Sequence, residues 1–153
     1  MLHKIESVEQ MEQIIPLISE VLAAGQSVRI YPMGTSMRPM LRQGIDSVVL
    51  SPAPEKLKKY DIPLYRRANG KYILHRVVDA GNTYICRGDN QFRAEPGIQR
   101  EQILAVVTAF YRKEKCISVH NPGYGLYCRL WVHSCGFRRL LHRGICWLRR
   151  HWK

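Results

Sequence analysis

Ile62-Pro63-Leu64-Tyr65-Arg66-Arg67-Ala68-Asn69-Gly70-Lys71-Tyr72-Ile73-Leu74-His75-Arg76-Val77-Val78 is the stretch on which the fold turns. Two β-prone runs, Ile62–Arg66 and Tyr72–Val78, flank the pair Asn69-Gly70. Both residues of that pair tolerate positive φ, which a tight turn between antiparallel strands requires. The stretch therefore reads as a β-hairpin. In a regular strand, His75 would share a face with Ile73 and Val77, which sets an ionisable ring among apolar neighbours.

Outward from the hairpin the same grammar repeats. Val28–Tyr31, Ser47–Leu50, Thr83–Cys86, Gln102–Tyr111 and Ile117–Val119 are short β-prone runs. Gly34, Gly44, Pro52, Pro54, Gly81 and Pro96 punctuate them, and Gly81-Asn82 marks a second hairpin. Short strands joined by tight turns predict a mainly β body, antiparallel and barrel-like, partly open. The period changes at both ends. Over residues 4–24, Ile5, Val8, Met11, Ile14, Ile15, Ile18, Val21 and Leu22 recur at three- and four-residue steps, with Pro16 inside and Gly25 as a stop. This predicts an amphipathic helix packed on the body. Residues 124–152 turn helical again after Asn121-Pro122-Gly123, with interruptions expected at Gly136 and Gly144. There Tyr127, Leu130, Trp131, Phe137, Leu141, Ile145, Leu148 and Trp152 lie to one side of basic residues. The chain thus divides into a helix over residues 1–25, a β body over 26–120 and a basic helical tail over 121–153.

Charge sharpens that division. The 153 residues carry 24 Lys and Arg against 12 Asp and Glu, a formal charge of +12. Residues 121–153 hold seven of those bases and no acid, so the basicity is largely a property of the tail. Arg138, Arg139, Arg143, Arg149 and Arg150 make it a candidate surface for an anionic membrane or another anionic partner, with Trp131, Trp147 and Trp152 suited to an interface. The alternative is packing on the body. No aromatic-rich block supports specific nucleic-acid binding. No run of 18 apolar residues exists to span a bilayer. Five cysteines without a secretory leader point to reduced thiols and a cytoplasmic setting, peripheral to the inner membrane face if the tail docks there. Cys116, His120, Cys128, His133 and Cys135 lack zinc-site spacing, so no metal or other cofactor is expected.

Three residues carry chemistry when taken together. Ser36 follows a Gly in a tight turn, where its hydroxyl and backbone N–H can face a cleft. A neutral His75 could take the hydroxyl proton, and Asp89, in Arg87-Gly88-Asp89-Asn90, could fix its tautomer.

The ordered blocks Gly34-Thr35-Ser36-Met37-Arg38-Pro39-Met40-Leu41-Arg42-Gln43-Gly44, Tyr60-Asp61-Ile62-Pro63-Leu64-Tyr65-Arg66, Leu74-His75-Arg76-Val77 and Arg87-Gly88-Asp89-Asn90 resemble the serine peptidase superfamily of signal peptidases and LexA-type self-cleaving repressors. They cover roughly residues 28–112. The resemblance implies a signal-peptidase-like β domain and a serine endopeptidase acting through an acyl-enzyme on an extended peptide or precursor protein. It is closest to the endoplasmic-reticulum and archaeal branch, in which His replaces the Lys base. It implies Ser36 as nucleophile, His75 as general base in preference to Lys71, Asp89 as third member, the Ser36 N–H as an oxyanion donor, and Met37 and Pro39 beside the substrate. Gly34 stands where some members place a second, hydroxyl donor, and Gly44-Ile45-Asp46 inserts a residue into the usual Gly-Asp pair. The repressor branch is disfavoured, since 35 residues precede Ser36 and one helix occupies most of them. Ala24-Gly25, at a helix end, is not expected to be a self-cleavage site. The rival reading keeps the fold without catalysis, as a silent peptide- or membrane-binding module.

Overall fold

The structure is a computed structural model that describes residues 2–4 and 8–151, with side chains described from residue 13 to residue 150. It contains β1 (Leu2–Lys4), α1 (Val8–Ala23), β2 (Val28–Tyr31), β3 (Ser47–Pro52), β4 (Pro63–Arg66), β5 (Tyr72–Leu74), β6 (Arg76–Ala80), β7 (Tyr84–Arg87), β8 (Glu95–Ile98), β9 (Ile103–Arg112), β10 (Lys115–Ser118), α2 (Pro122–His133) and α3 (Cys135–His151). The class is mixed α/β rather than mainly β, because the helices take up nearly as much chain as the strands.

The main sheet runs β1-β2-β3-β9-β4-β5, with β10 folded back on β9, and curls into a half-barrel. Its pairings are antiparallel except that of β1 with β2. A second sheet, β6-β7-β8, is antiparallel throughout. Two hydrophobic cores follow from the two sheets. Ile15, Ile18 and Leu22 of α1 pack with Ile30, Val48, Leu50, Leu64, Val107 and Phe110. Tyr65, Val77, Tyr84, Cys86, Ile98, Ile103 and Val106 form the other.

The Asn69-Gly70 turn joins β4 to β5 as expected, with Gly70 at φ 86°. Gly81-Asn82 joins β6 to β7. Gly25 stops α1 at φ 73°, its N–H bonded to Leu22 O at 2.9 Å and that of Gln26 to Val21 O at 3.1 Å. Of the stripe expected on α1, Ile5 and the side chains of Val8 and Met11 lie outside the described residues.

The run Tyr72–Val78 differs from expectation. It is not one strand: β5 ends at Leu74 and β6 begins at Arg76. His75 is the residue at which the chain leaves one sheet for the other. Pairing explains the break. β5 pairs with β4, whereas Val77 exchanges bonds with the loop before β4, its O accepting from Tyr60 N and its N–H donating to Asp61 O, both at 2.8 Å. Strand alternation therefore does not place His75, and the sequence pattern gives no sign of β8.

The tail differs too. It breaks at Ser134, not at Gly136 or Gly144, into two helices. Asn121 caps α2, its Oδ1 accepting from Tyr124 N at 3.1 Å, and Pro122 occupies the first turn, where its missing N–H costs nothing. Tyr127 and Trp131 pack inward against the body, so they do not continue the face carrying Phe137, Leu141, Ile145 and Leu148. Trp131 is thus not free for an outside interface, and Trp152 lies outside the described residues.

Candidate active site

Ser36 lies in the loop between β2 and β3, a segment held from several sides. Gly34 enters it at φ 88°. Asp46, fully buried, accepts from Arg42 N, Nε and Nη2 at 2.8–2.9 Å and closes the loop on itself. Burial alone would raise the Asp46 carboxyl, but the Arg42 guanidinium outweighs it and holds the group below the usual carboxylate range. Arg112 of β9 donates to the carbonyls of Pro39 and Met40 at 2.9 and 3.1 Å. Asn90 N–H donates to Ser36 O at 2.7 Å, and Asn90 Nδ2 to Thr35 O at 3.2 Å.

Ser36 and His75 meet at Gly88. A Cβ on Gly88 would fall 2.7 Å from Ser36 O and 3.1 Å from His75 Nε2. A side chain there would crowd both groups, so the Ser36 carbonyl and the imidazole border one small space; among the described residues no hydrogen bond joins the Ser36 hydroxyl to His75. Ser36 is half-buried and lines a hollow of about 80 Å³ with Met33, Met37, Leu41, Tyr72 and Leu74. Met37 lines that hollow; Pro39 is exposed and does not, its carbonyl being taken by Arg112.

The other ring nitrogen decides the tautomer. His75 Nδ1 stands 3.2 Å from Glu95 Oε1 and 3.4 Å from the Tyr65 hydroxyl. An ionised carboxylate only accepts, so Nδ1 carries the proton and Nε2 is left without one, on the side of Gly88. Burial of the ring, 2% exposed, and the nearby Arg67 charge depress its pKa below the ordinary histidine value, although Glu95 pulls the other way. Burial opposes ionisation of Glu95, yet Arg67, which grips both its oxygens, and His75 hold its carboxyl below the usual range. The Tyr65 hydroxyl, buried and beside that carboxylate, is raised and stays protonated.

Asp89 does not sit on His75 in the role expected of it. Its carboxylate is bound by Arg76, Nε to Oδ1 at 2.8 Å and Nη2 to Oδ2 at 2.7 Å, and accepts from the Tyr127 hydroxyl at 3.1 Å. Arg76 is completely buried and also donates to Tyr60 O, Tyr124 Oη, Met40 Sδ and Cys128 Sγ at 2.8–3.2 Å. One guanidinium thus ties β6, the Ser36 loop, α2 and Asp89 together. Burial works against its charge, but the Asp89 hydrogen bonds more than offset this and its pKa is raised. The same loop is gripped from the tail: Trp131 Nε1 and Arg138 Nη1 donate to Asp89 O at 2.8 and 3.3 Å. Arg138 also lies 3.8 Å over the Trp131 ring, so it belongs to the body rather than to an outside anionic surface. Arg139, Arg143, Arg149 and Arg150 are exposed.

Glu95 is the residue that sequence reasoning missed. It stands at the start of β8, and its lone carboxylate among Gln91, Arg93 and Arg100 was the available signal. Among the described residues no three His, Cys, Asp or Glu side chains cluster to hold a metal. No known family model, curated protein or solved structure matches the chain.

Proposed function

We propose that the protein is a serine endopeptidase of the signal-peptidase and LexA type, with Ser36 as nucleophile, His75 as general base and Glu95, not Asp89, as the carboxylate on Nδ1. One observation carries the reading. His75 Nε2 and the Ser36 backbone both close on Gly88, while Nδ1 is held on an ionised glutamate. In the reaction, Nε2 takes the hydroxyl proton as Ser36 Oγ bonds to the scissile carbonyl carbon. The imidazolium then protonates the departing amine, and a water activated by the same nitrogen hydrolyses the ester. Asp89 acts elsewhere. It neutralises Arg76 and so fixes the loop on which Asn90 holds the Ser36 carbonyl.

The substrate is an extended peptide. β5 is the end strand of the main sheet, and its three residues line the hollow beside Ser36. A peptide added along that edge would make main-chain hydrogen bonds and set one side chain into a space of about 80 Å³, which suits a small apolar residue. An open groove of about 670 Å³ is lined by Arg67, Phe92, Arg93 and Glu95, whose carboxylate stands 3.2 Å from His75 Nδ1.

The test is a proteome-derived peptide library incubated with the wild type, Ser36→Ala and His75→Ala proteins. Cleavage by the wild type alone, at sites sharing a small residue, supports the reading. Equal product profiles for all three oppose it.

A further inference from the structure

The helix α3 is amphipathic, and its contacts with the body come from its polar side, at Arg138 and His142. Cys135, Arg138, His142 and Cys146 follow one another at three- and four-residue steps, which is one line along a helix. Arg138 reaches Asp89 O and stacks on Trp131, and the His142 ring lies 5.4 Å from that of Phe92. Phe137, Leu140, Leu141 and Leu148, with Ile145 at the edge nearer Arg138, form a face that is turned outward, each side chain between 49% and 66% exposed. A soluble helix buries its apolar stripe; here the stripe is on the outside over a length of about 17 Å. Contiguous apolar surface of this kind marks a partner.

Charge identifies the occupant. At 3.6 residues per turn, Arg143 and Arg150 follow the stripe beyond Leu140, and Arg149 follows it beyond Ile145, in line with His142 and Cys146. All three are exposed, and residues 121–153 contain no acid. A second copy seated on this face would set like arginines together with no carboxylate from either tail to neutralise them. A bilayer surface supplies both needs: acyl chains for the stripe and anionic headgroups for the arginines, whose stems reach up from the apolar level. Among the described residues no helix is long and apolar enough to cross a membrane, so the mode is lying in the interface.

We infer that α3 seats the protein on an anionic membrane surface, with Phe137, Leu140, Leu141, Ile145 and Leu148 in the acyl boundary and Arg143, Arg149 and Arg150 at the headgroups. This is independent of the peptidase reading. It has a consequence for position: Arg138 and Trp131 hold Asp89 O, and Asn90 holds Ser36 O, so the docked helix keeps the serine loop close to the bilayer.

The experiment is flotation of the full chain with vesicles of phosphatidylcholine alone and of phosphatidylcholine with phosphatidylglycerol. The wild type is expected to float with the anionic vesicles only. Arg143→Gln/Arg149→Gln/Arg150→Gln should weaken that binding about a hundredfold, near fivefold per arginine. Leu141→Gln/Ile145→Gln should weaken it on the same vesicles while leaving the thermal melt in place, since both side chains are exposed. Failure of the wild type to bind anionic vesicles, or equal binding by wild type and both variants, would overturn the inference. So would a wild-type dimer in sedimentation equilibrium that Leu141→Gln/Ile145→Gln splits into monomers.

Discussion

The Nδ1 atom of His75 stands 3.2 Å from Oε1 of Glu95, across the gap between the end of β5 and the start of β8. Removing the glutamate charge should free the ring to turn and to exchange its proton between nitrogens. Glu95→Gln is therefore expected to lower kcat by about a hundredfold or more with little change in KM. Asp89→Asn should act differently. It leaves the buried Arg76 charge without its partner and is expected to cost about 3–5 kcal/mol of stability, read as a lowered denaturation midpoint. A stable, inactive Asp89→Asn beside a fully active Glu95→Gln would reverse the two roles.

The pH profile follows from the ring's surroundings. Burial and Arg67 depress the His75 pKa, so the neutral base persists to lower pH than an exposed histidine would allow. The acid limb of kcat/KM should have its midpoint below about 6.5. Glu95 raises that pKa, so in Glu95→Gln the midpoint should move lower still. Linkage runs the same way: between the depressed folded value and about 6.5 the unfolded chain binds more protons, so stability falls with acid across that window. A limb near the lysine range would contradict a histidine base.

Lys71 supplies the complementary test. It is exposed beside the Asn69-Gly70 turn, its N–H donating to Asn69 Oδ1 at 3.2 Å. Lys71→Ala keeps that backbone bond and should change stability by no more than about 0.5 kcal/mol, with turnover unaltered. Loss of activity in Lys71→Ala, with His75→Ala still active, would move the base to the lysine.

Gly88 is the tightest position in the site. In Gly88→Ala the new methyl meets the Ser36 carbonyl and the His75 ring at once, and the carbonyl belongs to a loop already pinned by Asn90. Activity should be lost, and the melting temperature should fall by several degrees, as overpacking costs about 1–3 kcal/mol. Wild-type turnover in Gly88→Ala would mean that the serine and the imidazole need not share that space.

What the sequence disclosed was local chemistry. The Asn69-Gly70 turn and the Gly25 stop could be read because the required φ is written in one or two residues. Ser36 and His75 could be singled out because each lies in a recognisable block. The break at His75 could not, because neighbours in two different sheets set it. Glu95 was hidden for the same reason: it reaches His75 only through the pairing of β8 with β7 and the grip of Arg67. Asp89 was misjudged because the buried Arg76, next to His75 in the other block, claims it. For the tail, the periodicity revealed two faces of α3 but carried no information on which of them meets the body.

An acyl-enzyme mechanism requires a covalent bond at Ser36. A cleaved peptide from the library, mixed with the protein and quenched in acid, should leave its acyl part esterified to Ser36. Intact mass and peptide mapping would read it, and the adduct should be absent from Ser36→Ala and His75→Ala. Peptide cleavage that persists in Ser36→Ala, with no acyl group ever found on the wild-type serine, would contradict the account.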